Sequence, residues 1–134
     1  MTCAFMGSNR RWWCGAIVAA AGIGAISGCS SGIKVAPEAY RGPPIGSDTE
    51  NGFHMVVAEL PSPGWALEID ATRESADQTD VFVTLRRPNP AAVYPQQIVT
   101  QRAVTRVDEQ ERLGIVARVV DYSETEDPAY RRVR

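Results

Sequence analysis

Residues 65–72 read Trp-Ala-Leu-Glu-Ile-Asp-Ala-Thr, and this stretch decides the fold class. One set of alternate positions is apolar, with Trp65, Leu67, Ile69 and Ala71. The other set is polar, with Glu68, Asp70 and Thr72. Because successive side chains of a strand point to opposite faces, this alternation predicts a half-buried strand with one wet face.

Further strands are predicted on both sides of this stretch. They cover residues 53–60, 79–87 and 113–122, with one or two more around Pro95 in residues 93–107. Val81, Val83 and Leu85 share one face of their strand, which leaves Phe82 on the other face as a second-layer contact or an exposed aromatic. The in/out pattern changes near Arg102, which predicts a bulge.

Turn residues separate these strands. Pro61-Ser62-Pro63-Gly64 is a turn cluster in which neither proline can donate to a ladder. Residues 73–78 have the length of a hairpin connection, and residues 108–112 (Asp-Glu-Gln-Glu-Arg) predict a hairpin tip. A helix is the alternative for the last segment, but only one turn would fit before Gly114.

The spacing of these elements predicts an all-β domain. Five to six short strands at this spacing are typical of a small, mostly antiparallel sandwich or a partly open barrel. We expect this β domain to span residues 50–122. Residues 29–49 are rich in Gly, Pro and Ser and predict a flexible linker, and the charged residues 123–134 predict a disordered tail.

Residues 1–28 have the three parts of an export signal. Arg10 and Arg11 precede an apolar run, residues 12–26, and no acidic residue occurs before residue 29. The run is shorter than the roughly 20 residues of a spanning helix. We therefore predict that this segment is cleaved and does not remain as a membrane anchor.

The end of this segment predicts lipidation. Ile26-Ser27-Gly28-Cys29 resembles the lipobox of bacterial lipoproteins. The resemblance implies cleavage between Gly28 and Cys29 and a diacylglyceryl group with further fatty acid, such as palmitate, on Cys29. Several acyl chains would anchor the protein stably to a membrane. Ser30 in place of an aspartate favours the periplasmic face of the outer membrane over the inner membrane in a Gram-negative cell.

Charge and cysteine content narrow the function classes. The chain has 14 basic and 16 acidic residues. Without Arg10 and Arg11 of the predicted signal, 12 basic residues remain against the same 16 acidic residues, so the mature part has a net charge of −4. An acidic domain argues against nucleic acid as partner. Cys3 and Cys14 lie in the signal and Cys29 would be lipidated, so no thiol remains for a disulfide.

Candidate catalytic and metal-binding residues are few. His54 is the single histidine, which argues against a zinc site and a catalytic triad. Glu68 and Asp70 share a strand face about 7 Å apart, as glycosidase carboxylates can, but a solvated face is the favoured interpretation. The three acidic residues Asp108, Glu109 and Glu111 lack the spacing of a calcium loop. We predict no catalytic activity, no cofactor and no metal.

The turn from Ser62 to Trp65 resembles a turn in a known protein family. A Pro/Gly turn that delivers an aromatic to a strand start is similar to the T-G-G-Y-like turn of the PrcB family of protease-associated envelope lipoprotein domains. The match continues to Val99-Thr100-Gln101, where that family has V-T-Q. Pro63 and Trp65 depart from the family's glycine and tyrosine, and the closing Pro-Tyr is absent.

These observations predict a lipid-anchored envelope protein whose β domain binds another protein. The resemblance implies an envelope protease or its client as partner, contacted by Ser62, Pro63, Gly64 and Trp65. The alternative is a scaffold subunit that uses an acidic face or a sheet edge, and a homodimer is one way to cover an exposed sheet face.

Overall fold

A computed structural model describes residues 32–134, which form eight β-strands. In chain order the strands are β1 Val35–Ala39, β2 Ile45–Glu50, β3 Phe53–Leu60, β4 Ala66–Glu74, β5 Thr79–Arg86, β6 Val99–Asp108, β7 Leu113–Val120 and β8 Tyr130–Arg132. One sheet has the order β1-β8-β7-β5-β4 and the other has the order β2-β3-β6. The predicted sandwich is confirmed, with eight strands instead of five to six.

Most strand pairs are antiparallel, as predicted, and two are parallel. β4 and β5 form the hairpin expected around residues 73–78, and β3 pairs with β6. The parallel pairs are β5 with β7 and β1 with β8. β6 and β7 lie in different sheets, so the turn at residues 108–112 crosses between sheets and the predicted hairpin tip is wrong.

The space between the sheets is filled by the predicted inward faces. Val81, Val83 and Leu85 of β5 are fully buried, and they meet side chains of the facing sheet such as Val56 and Leu60. Aliphatic side chains of this kind drive folding by the removal of apolar surface from water. The interior therefore follows from the alternation of these strands, except that a bulge in β4 moves Ala71, predicted on the face of Leu67 and Ile69, to the outer cluster around Phe82.

The outer face of the five-stranded sheet carries a second apolar layer. Phe82 is 1% exposed and meets the ring of Tyr130 edge to face, with ring centres 5.1 Å apart. Val116, Ala71 and Ile33 complete this cluster. Phe82 is therefore a second-layer contact, the first of the two roles that the sequence left open.

The N-terminal segment that we predicted as a flexible linker contains β1 and β2. β2 pairs with β3 through the two-residue turn Asn51-Gly52, whose φ angles of 54° and 83° are those of a tight hairpin turn. Tyr40 and Ile45 pack against the interior. The linker prediction is wrong for these residues because edge strands exposed on two sides need no apolar alternation.

The C-terminal segment also belongs to the domain. β8 pairs with β7 and β1, Tyr130 is buried, and Val133 packs against the interior cluster. The predicted disordered tail is wrong here, since two apolar residues among arginines are enough to add a short strand. The β domain thus extends well beyond residues 50–122 on both sides.

The predicted irregularity of β6 is present a few residues later than expected. Met55 lies opposite Val104, whereas Phe53 lies opposite Asp108, so β6 has two extra residues between these pairs. Arg106 has a φ of 61° at this point. Two extra residues leave the alternation unchanged, so Val107, which is 6% exposed, lies on the same inner side as Gln101 and Thr105, and the predicted in/out change near Arg102 is wrong.

Candidate protein-binding site

The predicted binding turn, residues 62–65, is built into the domain rather than projecting from it. Ser62 is buried and its carbonyl accepts a 3.4 Å hydrogen bond from the Trp65 N–H, which closes a tight turn. A Cβ on Gly64 would lie 2.7 Å from Pro88 and 2.8 Å from the ring of Tyr94. Pro63 remains exposed. Of the four predicted contact residues, Pro63 offers the most open surface.

Trp65 anchors the turn to the interior. Its half-buried side chain packs against the cluster of Ala58, Leu60 and Leu85. Its carbonyl accepts a 2.8 Å hydrogen bond from the Gln101 side-chain amide, and the amide oxygen of Gln101 accepts a 3.0 Å bond from the Leu67 N–H. The Gln101 side chain therefore bonds to a backbone N–H and a backbone C=O, as a neighbouring strand would, and it joins β4 of one sheet to β6 of the other.

An uncharged surface surrounds the exposed side of this turn. Residues 88–98 contain no charged residue and pack on the turn through Tyr94 and Pro88. Val93 is 98% exposed and Ile98 is 74% exposed. We call the surface formed by Pro61, Pro63, Val93 and Ile98 the tip. Exposed aliphatic side chains in an uncharged loop are typical of an interaction site.

The two carboxylates on β4 have different partners. Ile69 lies opposite Val83 and Ala71 opposite Phe82, so Asp70 is the extra residue of a bulge. Glu68 lies 4.0 Å from Arg86. Separate partners thus hold the two groups. The favoured interpretation, a solvated strand face, fits the Glu68 side chain, which is 50% exposed, but not that of Asp70, which is 29% exposed and hydrogen-bonded.

Asp70 belongs to a polar cluster on the outer face of the five-stranded sheet. It accepts hydrogen bonds from the hydroxyls of Thr84 and Tyr130, the second at 2.7 Å. Arg118 donates to the Thr84 hydroxyl at 2.8 Å and lies 4.4 Å from the centre of the Tyr130 ring. Burial, followed by the hydrogen bond to Asp70, raises the pKa of Tyr130 to about 12. The cluster fastens β8 across the sheet.

A second polar cluster lies on the same face. Arg132 of β8 donates two hydrogen bonds to the carboxylate of Asp80 at 3.0 and 3.1 Å, and the Gln78 amide donates to the same group at 2.6 Å. A Cβ on Gly114 would lie in contact with Asp80 and Gln78. A bidentate arginine pair of this kind fixes position as well as charge.

Residues 32–134 offer no arrangement for metal binding. Within them no group of three His, Cys, Asp or Glu side chains is placed to hold an ion. The Nε2 of His54 is 2.8 Å from the Glu111 carbonyl, so the ring is held by the backbone of the 108–112 turn. His54 is therefore held at a turn by a backbone contact.

The predictions for the first residues of the chain concern a part that the structure does not describe. The export signal, the cleavage after Gly28 and the lipidation of Cys29 all lie outside residues 32–134. In the described part, no helix is long and apolar enough to cross a membrane. These predictions stay predictions.

Comparison with known proteins finds no match to a protein family, to a curated protein or to a solved structure. The functional argument therefore depends on the chain itself. Sequence reasoning used Gln101 only for its family resemblance and gave no role to Arg118 or Asp80. No local pattern could have identified their cross-strand contacts, because Gln101 with Trp65, Arg118 with Thr84 and Asp80 with Arg132 are each 34 or more residues apart in the chain.

Proposed function

We propose that this protein is a lipid-anchored protein of the bacterial cell envelope whose β domain binds another protein through the tip. The observation that carries the proposal is the exposure of Val93 and Ile98 in the uncharged segment 88–98, which packs on the predicted turn through Pro88 and Tyr94. Burial of such side chains contributes roughly 25 cal/mol per Å² of apolar surface. A rigid, uncharged tip suits a protein partner.

The anchoring of the turn supports this surface as a binding site. Tyr94 covers Gly64 and Gln101 fixes Trp65, so the exposed residues are held in place before a partner arrives. Preorganised contacts avoid the entropic cost of ordering on binding. Gln101 also connects the two segments on which the resemblance to protease-associated lipoprotein domains depends, and an envelope protease or its client is the partner that this resemblance implies.

Photo-crosslinking in membranes tests the tip. A photoreactive residue is placed at positions 63, 93 and 98 of the full chain, with position 76 in the connection at the other end of β4 and β5 as control. We expect one protein to be trapped from the tip positions and not from position 76, and loss of the product with Val93→Asp. Equal trapping at all positions, or none, would contradict the proposal.

Lipidation is tested separately from binding. Growth with labelled palmitate should mark the wild-type chain and leave Cys29→Ala unmarked. Release of Cys29→Ala from the membrane, with the crosslink retained in detergent extract, would show that the anchor and the tip act independently.

The scaffold alternative makes a different prediction. β2 is an exposed edge strand, so a scaffold subunit would associate with copies of itself at that edge. Light scattering on the purified chain in detergent distinguishes the two, since a binder stays monomeric until its partner is added.

A further inference from the structure

The four edges of the two sheets differ in how their backbones are protected. β1 contains Pro37 and changes register between Ala36 and Ala39, and β6 has the bulge at Arg106. β4 has a bulge and its backbone is engaged by Gln101. Among residues 32–134, only β2 is an edge strand with neither a proline nor a bulge. Edge strands without such protection are templates for a further strand.

The hairpin register identifies the free backbone groups of β2. Glu50 and Phe53 flank the two-residue turn and form a hydrogen-bonded pair, and the Glu59 N–H donates to the Pro44 carbonyl at 3.0 Å. Alternate residues between these two pairs also bond to β3. The residues that direct both N–H and C=O away from β3 are therefore Ile45, Ser47 and Thr49.

The hydrogen bonds of β2 agree with this assignment. The Thr49 N–H is bonded to the carboxylate of Asp48 at 2.8 Å, which its outward direction makes possible. The Ser47 N–H and C=O lie at the centre of the free edge, and Ser47 is exposed. An added strand would pair first at Ser47.

Gly46 leaves a notch on the outer face of β2. No atom lies within 4 Å of the place where its Cβ would be. Its cross-strand neighbour is Val57, which is half-buried, and a shallow depression lined by Gly46, Val57 and Glu59 opens here. Glycine in a strand interior often marks the close approach of another chain. A long side chain of an added strand could lie across Gly46 and cover Val57.

The notch is flanked by negative charge. Asp48, Glu50 and Glu59 share this outer face, and Arg102 lies 3.7 Å from Asp48. The depression itself is lined by two carboxylates, those of Asp48 and Glu59, and one guanidinium lies beside Asp48, which favours a cationic guest side chain. Lysine and arginine have an aliphatic stem for Val57 and a charged end for Glu59.

We propose that β2 binds an extended segment of another protein as an added strand, and that this segment carries arginine or lysine opposite Gly46. Backbone bonds at Ser47 supply the pairing and the notch supplies selectivity. The residues are distinct from those of the tip, so this site does not depend on what the tip binds.

A synthetic peptide with alternating arginine and threonine is the probe, and the same peptide with glutamate for arginine is the control. Both are added to the full chain in detergent micelles, and binding is measured by calorimetry and by amide hydrogen exchange. We expect the arginine peptide to bind and to slow exchange of the Ser47 amide, while the glutamate peptide does neither.

Ser47→Pro removes an outward N–H without breaking a bond to β3, and we expect it to weaken peptide binding about tenfold or more. Gly46→Val places a side chain in the notch, where no other atom lies within 4 Å of its Cβ. It serves as a second test of binding if Ser47→Pro lowers the melting temperature. Glu59→Gln should weaken binding severalfold, whereas Glu38→Gln on the edge strand β1 should leave it unchanged.

Three results would overturn the proposal. The first is absence of arginine-peptide binding, or equal binding of the glutamate peptide. The second is binding that neither Ser47→Pro nor Gly46→Val weakens. The third is a dimer of the purified chain that Ser47→Pro dissociates, because the occupant of β2 would then be a second copy.

Discussion

The two lateral edges of the sandwich show how differently one chain can treat exposed strands. At the β4–β6 edge, Gln101 closes the gap between sheets with two hydrogen bonds to the backbone, and Trp65 fills the space beneath. At the β2 edge, residues 46–50 are all exposed and the outward backbone of Ser47 has no bulge beside it. One edge is closed by side chains of the chain itself, and the other presents unprotected backbone groups.

Residues that stabilise the fold lie at the closed edge, whereas the residues of β2 and of the tip are exposed to solvent. The closed edge includes most of the predicted binding turn, which explains why Ser62, Gly64 and Trp65 are covered while Pro63 is exposed. Stability should therefore be sensitive to substitution at the closed edge and insensitive at β2 and the tip.

The largest effect is expected for Trp65→Ala. Removal of a half-buried indole from the cluster around Leu60 and Leu85 should lower the free energy of unfolding by about 3 kcal/mol. Val93→Ala, at a side chain that is 98% exposed, should change it by less than about 0.5 kcal/mol. Urea unfolding of both variants measures the difference, and similar values would remove the distinction between closed edge and tip.

Gly64→Ala should be the next most destabilising change. The new methyl group would meet Pro88 and the Tyr94 ring at under 3 Å, and such overpacking costs about 2 kcal/mol. Because Tyr94 packs on Gly64, the substitution should displace residues 88–98. The fluorescence of Tyr94 should then change, and proteolysis of this segment should become faster. An unaltered loop would contradict the packing described for the tip.

Gln101→Leu tests the closure itself. The substitution keeps the size of the side chain but leaves the Leu67 N–H and the Trp65 carbonyl without their partner, at a cost of about 1 to 2 kcal/mol. Exchange of the Leu67 amide should also become faster. Gln97→Leu in the exposed loop is the matched control, and equal loss in both variants would refute the role of Gln101.

Alkaline pH should weaken the polar cluster that holds Asp70 in the β4 bulge. The pKa of Tyr130 is raised from the usual 10 to about 12, so the folded state keeps a proton that the unfolded state has lost. Its contribution is complete below pH 10 and is lost as pH rises through 12. Burial raises the pKa of Tyr40 as well, so Tyr130→Phe should remove only part of the slope in a pH series of melting temperatures.

The smallest effect is expected at the open edge. Gly46→Val should change the free energy of unfolding by less than about 0.5 kcal/mol, because its surroundings are empty and valine suits a strand. A large loss of stability in thermal unfolding would show that the notch is needed for the fold, and it would contradict the expected difference between Gly46 and Gly64.

The strands that could be predicted are those with an apolar run or apolar alternation. The run at residues 53–60 predicts β3, and alternation predicts β4, β5 and β7. β5 is nevertheless buried on both faces, because a second layer covers the outward Phe82, and the alternation could not show that layer. β2 was missed although Asn51-Gly52 is a strong hairpin signal, since its own residues are polar. In the candidate site, the turn was predicted, whereas the exposure of Val93 and Ile98 depended on how the loop packs.

The sequence by itself determined the all-β class, the position of the main strands, the acidic charge and a predicted lipid anchor at Cys29, because these follow from local pattern and composition. Only the tertiary structure decided which edges are closed, how β5 and β7 pair in parallel, and which turn residues are covered. Those features join residues distant in the chain, such as Gln101 with Leu67, and pairing over such distances leaves no local signal.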